Sequence, residues 1–250
     1  MPTPTEASAP LDPRARRTLG LLFLTVFLDL VGFSIIFPLF PGMLSYYAES
    51  ATPGSLFSLL YAGLEQFSAI AQSPSGEWGI IVLFGGVLGS LYSLLQFGFA
   101  PLWGRASDHF GRRPILLLTI AGLAMSYALW IVAAPFVLLL LARLLGGVMS
   151  GNLSTATAVV ADVTPPQQRG RGMAVIGIAF GVGFIVGPAI GGAAALIDLT
   201  AWWPALEAYG LHPFSAPAAV ALVLSAVNWV LVARYLPETR QPHSGSETAR

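Results

Sequence analysis

Two side chains of opposite charge lie inside long apolar runs. Asp29 falls in the run 19–41 and Arg143 in the run 136–161. A charge within the hydrocarbon layer costs free energy, so such residues usually line a cavity or have a partner. A rise of about 1.5 Å per residue places both near mid-depth, so we expect that they can meet. Asp29 is then a proton carrier or a fixed anion in a cavity, or the two form a structural ion pair.

Neutral polar residues accompany this pair. Gln96 lies in the run 79–103, and Asn152, Ser154 and Thr155 lie in the run that holds Arg143. They could donate hydrogen bonds to a bound small molecule, as we suggest for Gln96 and Asn152. Polar residues of this kind also join membrane helices to one another, and the sequence leaves both roles open.

The elements that position these residues are membrane-spanning helices. Of all residues, 55% are hydrophobic and 10% are charged, whereas about 25% are charged in an average soluble domain. A spanning helix needs roughly 20 apolar residues. Six such runs occur: 19–41, 79–103, 114–134, 136–161, 172–196 and 216–234. The sequence therefore predicts an all-α membrane protein whose first partner is the lipid bilayer.

The basic residues indicate orientation. All twelve are arginine, and eleven lie before the first run, after the second, after the fourth or at the end of the chain, on one face of the membrane. The opposite face carries Glu49, Glu65, Glu77, Asp198 and Glu207. Because cytoplasmic loops are rich in arginine, we expect a multi-pass protein of the bacterial inner, or plasma, membrane with both termini in the cytoplasm.

Three segments follow from this arrangement. We expect a disordered cytoplasmic N-terminus over 1–17, a six-helix transmembrane domain over 18–236 and a cytoplasmic tail over 237–250, which would begin a central loop. The first run is too long for a cleavable signal peptide, and it contains Asp29.

An extracytoplasmic loop over 48–78 interrupts the pattern between the first two spans. Leu56, Leu60, Leu64 and Phe67 recur there at helical spacing beside polar residues such as Glu65. This pattern favours an amphipathic helix on the membrane surface or capping the bundle. A seventh span is the alternative, although the run is short.

The loop between the second and third spans concentrates charge and glycine. It contains Gly104, Asp108, Gly111, Arg112 and Arg113. Asp162 ends the fourth span on the same face, so two acids and two arginines could join three helix ends and act as a gate. The alternative is that these arginines serve only orientation and lipid headgroups.

The fifth span is rich in glycine, which permits a close approach of neighbouring helices. Its motif contains Gly183, Gly187, Pro188, Gly191 and Gly192. Proline inside a helix favours a kink at this point.

These motifs together resemble the major facilitator superfamily. The loop 104–113, Phe27–Gly32 in the first span, Arg143–Gly147 in the fourth, Gly183–Gly192 in the fifth and Leu236–Thr239 after the sixth carry the likeness, which covers nearly the whole chain. The family resemblance implies six helices in a three-plus-three inverted repeat, half of a twelve-helix fold. It also implies that the loop motif latches one state and that a bent fifth helix seals the outer pathway.

Several classes of function lack the necessary residues. His109, His212 and His243 stand in loops or the tail, without a catalytic triad, a phosphate-binding loop or metal-ligand spacing. The sequence has no cysteine, and its arginine pairs flank membrane helices, which argues against nucleic-acid binding. We therefore expect neither an enzyme nor a cofactor or metal site.

The sequence-based hypothesis is a secondary active transporter. The resemblance to tetracycline exporters favours proton-coupled export of a small amphipathic compound or drug by alternating access. Uptake of a sugar or metabolite is the alternative. A non-transporting half that needs a second six-helix half as partner is the alternative from another class.

Overall fold

The structure is a computed structural model that describes residues 12–70 and 77–239. The predictions for residues 1–11, for 71–76 of the extracytoplasmic loop and for 240–250, including Arg240, His243 and Arg250, fall outside these ranges.

The described residues form α-helices and short 3₁₀ turns, without β-strands. The α-helices are α1 (Pro13–Ser34), α2 (Phe40–Glu49), α3 (Leu56–Ile70), α4 (Glu77–Phe110), α5 (Arg112–Ile131), α6 (Phe136–Met149), α7 (Asn152–Val163), α8 (Arg169–Ala194), α9 (Leu199–Trp202) and α10 (Ser215–Tyr235). Six helical segments are long and apolar enough to cross a bilayer: Pro13–Glu49, Trp78–Phe110, Arg112–Ile131, Phe136–Val163, Pro166–Trp202 and Ser215–Tyr235. The predicted all-α fold with six spans is confirmed.

The first span differs from its predicted limits at both ends. It begins at Pro13, inside the segment expected to be disordered, because Pro13 occupies the first helical position and the Asp12 side chain accepts a hydrogen bond from the Arg14 N–H at 3.3 Å. It ends at Glu49 and not at residue 41, because Pro38 and Pro41 each lie in the first turn of a new helical element, where a missing N–H costs nothing.

The first and fourth spans are both interrupted. A 3₁₀ turn, Phe37–Leu39, separates α1 from α2, and Ser150 and Gly151 separate α6 from α7. A three-plus-three repeat makes these two spans equivalent. Interrupted helices in corresponding positions are typical of substrate sites in transporters.

Helix α3 lies across the end of the bundle that is opposite the arginines. Phe57 and Leu64, seven residues apart, are buried, and α3 contacts α2, α4 and α6. Leu59 and Ile70 on another face remain exposed. With 15 residues it is too short for a span of roughly 20. The helix caps the bundle, as one of the sequence-based interpretations proposed, and it is not a seventh span.

Two helix pairs bring the spans together. Helix α1 packs along α8, and α5 packs along α10. At Gly183 of α8 an added Cβ would lie 2.6 Å from the Leu30 Cβ, so only glycine permits this spacing between α1 and α8. The two pairs fix the faces of α1 and α10 that meet the interior of the bundle.

Candidate functional site

Asp29 lies where four spans converge. Its Oδ2 accepts a hydrogen bond from the Asn152 side-chain amide on α7, and its Oδ1 accepts one from the Asn228 Nδ2 on α10 at 3.1 Å. The Thr119 hydroxyl on α5 bonds to the Asn152 Oδ1. The carboxylate therefore receives two neutral amide donors, an arrangement that stabilises an ionised acid without a positive charge.

A cavity of about 190 Å³ opens beside this carboxylate. Helices α1, α4, α5, α7 and α8 line it, and Asp29, Gln96 and Asn152 provide polar groups. Three of the four residues predicted for the cavity therefore line this one cavity. Its remaining surface is mostly apolar, which suits a small amphipathic molecule.

Aromatic rings form one side of the cavity. The ring centroids of Phe33 and Tyr92 are 4.7 Å apart, and those of Phe33 and Phe184 are 5.9 Å apart. Phe180 and Phe184 on α8 are also in contact, with centroids 5.0 Å apart. Such a cluster favours a ligand with a planar or apolar part.

Arg143 does not meet Asp29, contrary to our expectation. The guanidinium lies 5.2 Å from the Trp130 ring centroid and 5.8 Å from that of Tyr92. No described carboxylate lies within ion-pair distance of it. Arg143 is buried, so the aromatic faces take the place of an anion. Helix α6 places Arg143 against a ring of α4 and a ring of α5.

Sequence reasoning missed three residues of this site. Asn228 carried a usable signal, because it is the one amide in the run 216–234. Tyr92 and Thr119 carried none, since an aromatic or threonine residue in an apolar span is usually a packing residue.

The arginine-rich end, defined by Arg105, Arg112, Arg113, Arg169 and Arg171, holds a hydrogen-bonded network around one guanidinium. The Arg112 Nε lies 2.9 Å from the Asp162 Oδ2, and another nitrogen lies 2.5 Å from the Asp108 Oδ1 and 2.7 Å from the Ser107 Oγ. Arg112 itself is 9% exposed. The network joins α4, α5 and α7, the three helix ends that the sequence indicated.

Arg113 takes a different partner from the one expected. Its guanidinium donates to the Ala233 carbonyl on α10, and in the described residues it forms no ion pair with Asp108 or Asp162. The α5 backbone continues this link, because Glu238 accepts hydrogen bonds from the N–H groups of Arg112 and Arg113 at 2.9 and 3.2 Å. A carboxylate at a helix N-terminus is stabilised by the helix dipole.

The loop expected over 104–113 is helical up to Phe110, so Gly104 lies in α4 and Gly111 alone joins α4 to α5; the two glycines have different surroundings. Gly111 adopts a φ of +108°, and an added Cβ would lie 2.6 Å from the Glu238 Oε2. This position therefore requires glycine both for backbone conformation and for space. Gly104 has open space beside it, so the fold does not explain that residue.

The glycine motif of α8 divides in the same way. Gly183, Gly187 and Gly191 are buried against α1, whereas a Cβ on Gly192 would meet nothing within 4 Å. Pro188 lies inside α8, which continues as a helix beyond it. Only three of the four predicted motif glycines therefore set the approach of α8 to α1.

The carbonyls at the end of α5 and just after it are bonded by residues from other elements. The Tyr47 hydroxyl donates to the Ala133 oxygen at 2.6 Å, and the Ser215 hydroxyl donates to the Ile131 oxygen at 2.6 Å. The His212 Nε2 lies 3.0 Å from the Trp130 oxygen, and its Nδ1 accepts from the Phe214 N–H at 3.3 Å. Burial lowers the pKa of His212, although the Trp130 carbonyl and Asp198 act in the opposite direction.

The described residues contain no group of three or more histidine, aspartate or glutamate side chains placed to hold a metal ion.

Comparison with known proteins gives consistent results. The sequence profile of the Major Facilitator Superfamily matches residues 22–250. Major facilitator superfamily domain-containing protein 10 of Homo sapiens is 38% identical over 228 residues, which cover 91% of this chain and 46% of the relative. Tetracycline resistance protein, class E, of Escherichia coli is 34% identical over 185 residues, which cover 74% of this chain and 39% of the relative.

A solved structure shares the fold. The crystal structure of the human organic anion transporter MFSD10 (TETRAN) superposes with a TM-score of 0.79 at 37% identity, covering 91% of this chain and 49% of that one. The chain spans about half the length of the curated relatives it matches.

Proposed function

Because this chain belongs to the major facilitator superfamily, whose members are transporters and not enzymes, we propose that it supplies one six-helix half of a secondary transporter that works by alternating access. Its substrate is a small amphipathic molecule, which binds between this half and a second six-helix half. The cavity beside Asp29 is the observation that carries this proposal.

We propose that Asp29 exchanges protons with the transport pathway. It combines a position deep in the first span with access to the cavity and with two neutral partners, so its charge is not fixed by a cation. A carboxyl group of this kind can bind a proton from one side and release it when substrate enters.

The Arg112 network acts as the cytoplasmic gate in this proposal. Its bonds join α4, α5 and α7, so movement of one span past the others must break the bonds to Asp108 or Asp162. A network with two arrangements of similar free energy is suited to alternate between states.

Export is the proposed direction. The similarity to tetracycline resistance proteins supports it. We place the arginine-rich end and both termini in the cytoplasm of a plasma, or bacterial inner, membrane, as the distribution of arginine favours.

Transport in proteoliposomes tests the proposal. Full-length protein is reconstituted in vesicles at a set pH gradient. Tetracycline or fluorescein, an organic anion, is added as substrate and its flux is measured. A pH dye inside the vesicles follows the proton movement that accompanies this flux. We expect Asp29→Asn to abolish substrate-driven proton release. Asp198→Asn makes the same chemical change at the N-cap of α9, outside the cavity, and is the matched control.

The outcomes separate the alternatives. Proton release that survives Asp29→Asn contradicts the proton role. Movement of the substrate in the same direction as the protons, towards the side of the membrane that holds the arginine-rich end, indicates uptake. If neither tetracycline nor fluorescein is transported at any pH gradient, and neither binds to the protein, the proposed substrate class is contradicted.

A further inference from the structure

We propose that Trp103 is a positioning residue that holds open the break between α6 and α7 and thereby aims the Asn152 amide at Asp29. The Trp103 indole bonds the backbone carbonyl that would otherwise join α6 and α7 into one helix. This inference rests on the proposed proton role of Asp29, because Asn152 is one of the donors to that carboxyl.

The break lies on the wall of the cavity. Ser150 and Asn152 line the cavity beside Asp29. Asn152 is the first residue of α7, and its side-chain amide bonds both to Asp29 and to the Thr119 hydroxyl. The path of the backbone through the break therefore determines where this amide lies.

The residues of the break permit it without enforcing it. The segment 146–153 contains no proline. Ser150 and Gly151 have φ values of −79° and −85°, so neither residue is in the left-handed region. A glycine–serine pair is one common site of a helix kink, and a side chain inserted between the hydrogen-bonded turns of a helix is another cause. Such a side chain reaches this break from α4.

Trp103 of α4 occupies the hydrogen-bonding position of a backbone N–H. Its Nε1 donates to the Val148 carbonyl at 2.6 Å. In a continuous α-helix this carbonyl would accept the N–H four positions later, which belongs to Asn152. The backbone hydrogen bonds of the described residues include none between Asn152 and Val148. The indole thus takes the acceptor that would carry the helix through to Asn152.

The carbonyls on either side of Val148 have local partners. The Gly147 carbonyl accepts from the Ser150 N–H at 3.4 Å, and the Met149 carbonyl accepts from the Gly151 N–H at 2.8 Å. The second bond closes an inverse γ-turn at Ser150, with a φ of −79° and a ψ of +53°. Of the last three carbonyls of α6, the one that depends on another helix is therefore that of Val148.

Gly151 lets the indole lie directly against the backbone. An added Cβ on Gly151 would lie 2.5 Å from the Trp103 Cγ. Because real Cβ atoms do not approach so closely, a side chain at this position would displace the ring. Glycine admits the indole, and the indole holds the Val148 carbonyl.

Closing the break would redirect Asn152. The ψ of Ser150 would change from +53° to the helical value of about −42°, a turn of roughly 95°. This turn lies two positions before Asn152, so it carries the amide away from its bonds to Asp29 and Thr119. Loss of the indole N–H therefore removes one hydrogen-bond donor from the Asp29 carboxylate.

Solid-state NMR on the protein in lipid bilayers tests the proposal, because the sequence permits unique labels at the break. Met149 is the one methionine that follows a valine, and Asn152 is the one asparagine that follows a glycine. Carbonyl-¹³C valine with ¹⁵N methionine therefore selects the Val148 carbonyl, and carbonyl-¹³C glycine with ¹⁵N asparagine selects the Asn152 N–H. With ¹⁵N tryptophan added, the Val148 carbonyl should show a contact with one indole nitrogen.

Two changes should close the break. Benzothienylalanine at position 103, introduced at a suppressed stop codon, keeps the ring shape and replaces the indole N–H by sulfur. Gly151→Ala keeps the indole and displaces it. In each protein the Asn152 N–H proton should move to higher frequency and exchange with water more slowly, because it gains the Val148 carbonyl. The contact of the Asn152 side-chain nitrogen with the Asp29 carboxyl carbon should be lost, and substrate-driven proton release should fall.

Trp229 on α10 provides the matched control. Its Nε1 also donates to a backbone carbonyl, that of Leu117 on α5, at 3.1 Å. Leu117 lies within the continuous helix α5, so this bond holds no break open. Benzothienylalanine at position 229 should leave the Asn152 resonances and proton release unchanged.

Several results would overturn the inference. One is the absence of any indole contact with the Val148 carbonyl in the unsubstituted protein. Others are an Asn152 N–H that is unchanged in both altered proteins, an Asn152–Asp29 contact that persists in both, or an equal effect at position 229. Proton release that stays unchanged while that contact is lost overturns the role of Trp103 in proton exchange. If the unsubstituted protein shows the NMR contacts but releases no protons with substrate, the proposed function alone is contradicted, because the contacts do not require transport.

Discussion

The two carboxylates of the Arg112 network are predicted to contribute unequally, although both lie within bonding distance. Side-chain exposure is 62% for Asp108 and 23% for Asp162. The perturbation is a pair of double-mutant cycles, Arg112→Ala with Asp162→Ala and Arg112→Ala with Asp108→Ala. Each cycle isolates the interaction of one acid with the guanidinium from the other effects of substitution.

The expected magnitudes follow from exposure. A hydrogen bond to a charged, partly buried group contributes about 1.5 to 3 kcal/mol, so the coupling energy of Arg112 with Asp162 should be about 2 kcal/mol. A solvent-exposed ion pair contributes roughly 0.2 to 1 kcal/mol, so the coupling with Asp108 should be about 0.5 kcal/mol. Salt should screen the second pair more strongly than the first.

The assay is reversible unfolding in detergent micelles, followed by tryptophan fluorescence at low and high ionic strength. The reasoning is refuted if the coupling energy of Asp108 equals or exceeds that of Asp162. It is also refuted if the Asp162 coupling falls below about 0.5 kcal/mol, since the 2.9 Å contact would then contribute no more than an exposed pair.

Three further predictions follow. Gly191→Val should lower the free energy of unfolding by about 1 to 3 kcal/mol, because Gly191 lies against the Ile35 backbone, whereas Gly192→Val should change it little; equal effects in the same unfolding assay would contradict the helix packing. Because burial lowers the pKa of His212 below its usual 6.5, the folded state binds fewer protons than the unfolded state, so the contribution to stability is present above that pH and lost as pH falls; the protection of the amides of residues 130–134 from hydrogen exchange, relative to the unfolded chain at the same pH, should fall on acidification, and His212→Gln should remove this dependence. The sequence has no cysteine, so Ser58→Cys and Gln167→Cys can each carry a single label; an impermeant maleimide added outside cells should modify the first only, and labelling of the second would reverse the proposed topology.

The sequence predicted the spans and the arginine-rich end well because both depend on local features. A run of roughly 20 apolar residues has few alternatives to a spanning helix. Asp108 and Arg112 are four positions apart, and their contact forms across a single tight loop. The predicted six spans were therefore confirmed, and Asp162 was found at the same guanidinium because the fourth span returns to the same face.

The rest of the candidate site depends on helix rotation, which length and hydropathy do not determine. Asp29 and Arg143 were expected at similar depths, but they contact different neighbours, Asn228 and Trp130. The predicted limits of the first span failed for a local reason, since Pro38 and Pro41 start new helical elements and do not end the span.

The hydrogen bonds at the two ends of α5 can form only late in the synthesis of this chain. The N–H of Arg112 bonds to Glu238, 126 positions later, and the carbonyls of Trp130 and Ile131 bond to His212 and Ser215, 82 and 84 positions later. At about 5 to 20 residues per second, the ribosome makes Glu238 roughly 6 to 25 s after Arg112. During that interval the polar groups at both ends of α5 lack these partners. Helix α10 and Glu238 thus complete the two ends of α5, and this six-helix bundle closes only when translation has passed residue 238.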